Sequence, residues 1–130
     1  MAKRRRPACC TTWDRNGVVA QTRLARAVLD GYPAVPGHIL VYPIRHVEKI
    51  TDLRWREAWH MFRLIRKVCR TPGFADHTIG VNGGDAAGWT IRHLHCHIFP
   101  RRRGDVRDPR GGVRQLFFPS PDNDHYLHRQ

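Results

Sequence analysis

The run His93-Leu94-His95-Cys96-His97-Ile98-Phe99 alternates imidazoles with apolar side chains. Side chains along a strand point to opposite faces in turn, so this segment reads as a strand. Leu94, Cys96 and Ile98 share a core face, and His93, His95 and His97 share the other. That second face carries three rings with neighbouring Cα atoms about 7 Å apart. Packing gives no reason for such a row, because imidazole is costly to bury unless it is paired. Two chemistries can use it. One is metal binding, since neutral imidazole is a common zinc ligand. The other is displacement at phosphorus, in which one ring attacks while its neighbours orient it and donate to phosphate oxygens.

The rest of the chain supplies elements to hold such a strand. Gly17 to Thr22 and Leu24 to Leu29 read as two short strands, and His38 to Pro43 as a third. The segment between them, Asp30 to Gly37, is a loop whose prolines cannot donate to a ladder. Thr51 to Arg70 reads as a single long helix capped by Thr51 or Asp52. Its core stripe is predicted as Ala58, Met61, Phe62, Ile65, Val68 and Cys69, at three- and four-residue spacing. Thr71-Pro72-Gly73 ends it. His77 to Asn82 is then a strand, Gly83 to Gly88 a turn, and Trp89 to Pro100 the returning strand. Strands, one helix and strands again predict an α+β domain with an antiparallel sheet. Its expected extent is residues 13–118, between a basic flexible tail at 1–12 and a polar C-terminal tail at 119–130.

Composition narrows the partners. The 130 residues include 23 Lys+Arg against 11 Asp+Glu, a formal charge of +12. All but Lys3, Lys49 and Lys67 of the basic residues are arginine, whose planar fork matches phosphate geometry. A basic nucleic-acid-binding module would draw on Lys3 to Arg6, the arginines of the helix and Arg101 to Arg103. No recognised binding motif accompanies them, so support for nucleic acid is compositional only. No apolar run approaches the ~20 residues of a membrane span. Four cysteines in a chain of this size do not make a disulfide scaffold, which points to a reducing, cytoplasmic setting.

The segment from His93 to Arg101 resembles the signature of the histidine-triad (HIT) family. The likeness extends to Asp30 through His46, which resembles the family's nucleoside-binding loop and following strand, and to Asn82 through Gly88, which resembles the loop before the triad. Asp105 and Asp108 to Arg114 resemble the tail of the Fhit-like, diadenosine tetraphosphate hydrolase-like branch. The resemblance implies a HIT-like meander, a homodimer and cleavage at the α-phosphate of a nucleotide through a nucleotidyl-histidine intermediate. It also implies residue roles: attack by His95, donation by His97, orientation by His38 and His93, and nucleotide contacts from Asp30, Asn82, Trp89 and Thr90. The substrate class implied is a dinucleoside polyphosphate, with a Hint-like nucleoside phosphoramidase as the nearest rival. No cofactor is required by this scheme. Trp89 stands where the family usually has glutamine, replacing a group that both donates and accepts by one that only donates. Zinc would draw on Cys9, Cys10, His46 and His93, although adjacent cysteines break the CxxC spacing used by some members. A zinc-organised interaction domain is the third class this reading leaves open.

Overall fold

The computed structural model describes residues 12–117. The expected tails, and with them Cys9 and Cys10, lie outside those residues except for Thr12. Five antiparallel strands form one sheet: β1 (Val18–Gln21), β2 (Ala25–Leu29), β3 (Ile39–Pro43), β4 (His77–Val81) and β5 (Cys96–Pro100). Their order is β1-β2-β3-β5-β4, and α1 (Trp55–Cys69) packs across one face. The α+β architecture expected from the sequence is therefore present. Among the described residues, no helix is long and apolar enough to cross a membrane.

One face of the sheet is closed. Ala25, Ala27, Ile39, Val41, Cys96 and Ile98 are all buried and pack against Met61, Leu64 and Val68 of α1. Small side chains on β2 let the helix lie close, and each larger apolar side chain contributes about 1.5–3 kcal/mol by leaving water. The helix starts at Trp55 rather than Thr51, because Ile50–Asp52 form a separate 3-10 turn. Its first turn is capped by Glu57, whose carboxylate accepts the Arg54 N–H at 2.9 Å and two Arg45 donors at 2.6 and 2.8 Å. Neither Thr51 nor Asp52 does this. The core stripe also differs from expectation: Leu64 is buried, while Ala58 and Phe62 are exposed. Phe62 belongs instead to a second, exposed apolar line with Trp55 and Trp59, spaced four and three residues apart.

The other face is partly covered. Trp13, at the start of a 3-10 turn spanning Trp13–Asn16, packs with Val28, Leu40 and Tyr42. The Tyr42 hydroxyl and the Arg26 guanidinium both donate to the Asp14 carboxylate, fastening that turn to β2 and β3. Burial and the Asp14 carboxylate push the Tyr42 phenol well above its ordinary value, so it stays a donor.

The returning strand is shorter than the alternation predicts. It begins at Cys96, and Trp89 to His95 run irregularly. Two causes are visible. Pro43, at the end of β3, has no N–H to offer, and its carbonyl accepts from the His93 ring at 2.9 Å instead of from a strand. On the other side, β4 pairs only as far as Val81↔Cys96 before the Asn82 turn. His93 and His95 therefore precede the regular strand rather than riding on it.

Candidate functional site

The loop after β2 and the start of β5 bring the imidazoles together. Asp30 N–H donates to the His38 carbonyl at 2.9 Å, and Tyr32 N–H donates to Asp30 Oδ1 at 2.8 Å, so the loop is a closed turn. Gly31 passes so close to Asn16 that a Cβ would lie 2.8 Å from its side-chain nitrogen. Gly37 has φ +87°, which a side chain would strain, and this delivers His38 to β3.

The hydrogen-bond partners of each ring assign its proton to one nitrogen. Ala34 N–H donates to His38 Nδ1 at 3.2 Å, so neutral His38 carries its proton on Nε2. That nitrogen lies 2.9 Å from His97 Nδ1, which must accept. His97 is thereby left with its proton on Nε2. His95 is held the opposite way: its Nδ1–H donates to the His93 carbonyl at 2.7 Å, leaving a lone pair on Nε2. The His95 and His97 ring centroids are 4.8 Å apart. One ring is an acceptor toward the open face and its neighbour is a donor.

Burial keeps His97 and His38 neutral near pH 7. It lowers His97 to about 4, helped by His95 and His38, and lowers His38 against the opposing pull of Asp30, whose Oδ2 is 3.3 Å from Nδ1. Both rings are uncharged at pH 7. The Cys96 thiol on the closed face is pushed up to about 12 by burial and is no nucleophile.

His93 plays a different part from the one its spacing suggests. It is 1% exposed, donates to Pro43, and touches His95 through its carbonyl rather than its ring. Trp13 lies over it, 5.3 Å away, and meets His95 edge-on at 5.0 Å. Nothing in the local sequence Thr12-Trp13-Asp14 flags that role, because it arises from a contact across the fold.

Two cavities open on this face. The first, about 560 Å³, is bounded by Trp13, Asn16, Leu40, Ile91 and His95, with Thr90 at its wall. The second, about 650 Å³, lies over β4 and β5 and includes His38, Asn82 and Phe99. Asp30 and His97 border both. Trp89 borders neither: its indole N–H donates to Asp85 at 2.6 Å, and its ring lies under Arg92 and Lys49 at 5.2 and 5.9 Å.

A metal finds one set of donors among the described residues. Asp30, His38 and His97 each bring one ligand atom within 4.8 Å of the others, and they are the residues of the hydrogen-bonded chain. Of the zinc candidates read from the sequence, His46 and His93 have ring centroids 5.1 Å apart, and His93 Nε2 is already given to Pro43.

Comparison with known proteins places this geometry. Residues 14–104 match the HIT domain family. The chain is 40% identical over 97 residues to an AP-4-A phosphorylase of Mycobacterium tuberculosis, covering 68% of this chain and 48% of that protein. It is 36% identical over 95 residues to the asymmetrical bis(5'-nucleosyl)-tetraphosphatase of Schizosaccharomyces pombe, covering 70% and 52%. Among solved structures, it resembles the Plasmodium falciparum diadenosine triphosphate hydrolase in complex with cyclomarin A. The TM-score is 0.66 at 29% identity, with 73% of this chain and 67% of that one covered. The chain spans about half the length of the curated relatives it matches.

Proposed function

Because the chain belongs to the HIT domain family, we propose that it cleaves nucleotides at the α-phosphate through a nucleotidyl-histidine intermediate, with dinucleoside polyphosphates as its substrate class. His95 Nε2 attacks phosphorus, and the bond to the leaving group breaks with its electron pair going to that group. His97 Nε2–H donates to a phosphoryl oxygen as charge gathers there. Water then attacks the same phosphorus, the P–N bond breaks, and a nucleoside monophosphate leaves with His95 restored. Two easier displacements replace one difficult one. His38 keeps His97 in its donor tautomer, and the His93 carbonyl does the converse for His95. Asp30 accepts from ribose hydroxyls, and Asn82 and Thr90 contact phosphate.

The different hydrogen-bond partners of His95 and His97, a carbonyl for one Nδ1 and the His38 ring for the other, are the observation that carries this reading. Relatives named for diadenosine tri- and tetraphosphates support the substrate class. No protein-bound metal enters these steps. The test is mass spectrometry of protein quenched during turnover of a dinucleoside polyphosphate. A nucleoside monophosphate adduct on His95 is expected, and an adduct on any other residue removes the mechanism.

A homodimer completes the proposal. Trp55, Trp59 and Phe62 are 73%, 52% and 51% exposed on one line of α1, and β4 is an edge strand with Val81 also exposed. Among the described residues the outer edge of β4 has no strand partner, and apolar surface beside such an edge suits a second copy that extends the sheet. Trp59→Glu should convert a dimer to a monomer in sedimentation, and an unchanged mass would remove this part.

A further inference from the structure

His97 stands on the ridge between two cavities, and only one of them contains the attacking ring. In a displacement at phosphorus, the attacking and leaving atoms lie roughly in line on opposite sides. The second cavity opens across His97 from the one that contains His95, the side on which a group leaving opposite the attacking nitrogen would lie. Its floor is built from residues on one face of two paired strands: His97 and Phe99 on β5, opposite Gly80 and Thr78 on β4. The His97 and Phe99 rings are parallel within 2°. Its outer wall is the segment after β5, through Val106, Val113 and Leu116.

The chemistry of this wall is selective. Its one guanidinium, Arg101, is taken up by Asp105 at 2.7 and 3.0 Å and by Thr78 at 3.1 Å. Among the described residues of this wall, His38 and His97 are held neutral, so the surface beyond the phosphates is little charged. Beside the polar Asp30, Thr78 and Asn82, the cavity offers apolar surface and the parallel His97 and Phe99 rings. Its volume, about 650 Å³, lies within the ~300–1,000 Å³ of sites that hold drug-sized molecules.

The geometry points to a leaving-group subsite, built by Gly80, Phe99, Val106, Val113 and Leu116, that takes a planar aromatic group. In dinucleoside substrates that group is the second nucleobase. This rests on the cleavage reading above and adds to it the side on which selectivity is exerted. Gly80 is the key opening: a Cβ there meets nothing within 4 Å and its φ is ordinary for a strand, so a larger residue fits the fold while filling the floor.

Two measurements test this. In the first, methyl-labelled protein binds a methylene-bridged diadenosine triphosphate analogue. Nuclear Overhauser contacts from one adenine to Val113 or Leu116 methyls are expected, and contacts confined to Leu40 and Ile91 overturn the subsite. This readout needs no turnover, so it stands even if the cleavage mechanism fails. In the second, kcat/KM is compared for phenyl and methyl esters of adenosine monophosphate. The phenyl-to-methyl ratio should fall about tenfold in Gly80→Val and in Val113→Asp. A ratio unchanged in both variants overturns the subsite, whereas loss of cleavage for both esters in the wild type counts against the mechanism alone.

Discussion

The two faces of the sheet are made by the same strands and do opposite things. On β5, Cys96 and Ile98 point into a sealed apolar layer under α1, while His97 and Phe99, one residue out of phase, border cavities. The closed face is held by area removed from water, so no single contact is unique. The open face is held by a few directional bonds: Asp14 to Tyr42 and Arg26, His38 to His97, and His95 to a carbonyl. On β5 itself, stability and chemistry are thereby separated by side-chain alternation, while His95, before the strand, is placed by its bond to the His93 carbonyl.

The sharpest way to break this comparison is a pair of substitutions three residues apart. His95→Ala should lower nucleotide release by at least about a thousandfold, as loss of a nucleophile does, with little change in the urea midpoint. Ile98→Ala should instead cost about 2–5 kcal/mol of stability while the remaining folded protein keeps its activity. If Ile98→Ala destroyed activity in fully folded protein, the separation of faces would be wrong. Asp14→Asn comes next. It weakens a charged acceptor shared by two donors, so urea unfolding should show a loss of about 1–3 kcal/mol, accompanied by a higher KM as the Trp13 wall loosens.

Acid provides a finer discrimination. Unfolded histidine titrates near 6.5, whereas His97 is lowered to about 4 and His38 is also lowered. Between those values the unfolded chain binds more protons than the folded one. Stability therefore falls as pH drops from about 6.5 toward 4. His97→Gln should flatten that slope in urea titrations, and an identical slope would show that the open-face histidines are not its source. The smallest effect is expected at Trp89→Gln. Its indole serves the Asp85 turn outside both cavities, so stability should change by no more than about 0.5 kcal/mol. Preference among dinucleoside polyphosphates should stay within about twofold, a change of roughly 0.4 kcal/mol in transition-state energy. A larger swing in substrate ratio would bring that turn into the binding surface.

Much of this was legible beforehand where the signal is local. The Asp30 to Gly37 loop, the end of the helix at Thr71-Pro72-Gly73 and the core role of Cys96 and Ile98 follow from residue type and spacing. The start of the helix was not legible: Thr51 and Asp52 are better intrinsic caps than Arg54, but Glu57 is drawn into place by Arg45, nine residues before the cap. Phe62 and Leu64 exchanged places in the expected stripe because the sequence marks both as apolar, and only packing against β2 and β3 chooses between them.

By itself the sequence determined that imidazoles and core residues alternate, and that a proline-bounded loop precedes a buried strand, since backbone geometry imposes both. Only the tertiary structure decided which ring gives a proton and which keeps a lone pair. That depends on the Ala34 amide and the His93 carbonyl meeting particular nitrogens. It also decided that Trp13 stands over the rings, that Trp89 does not reach them, and that a second cavity lies behind His97. Alternation is a property of consecutive residues, whereas a hydrogen-bond partner or a cavity wall is contributed by whatever distant segment packs there.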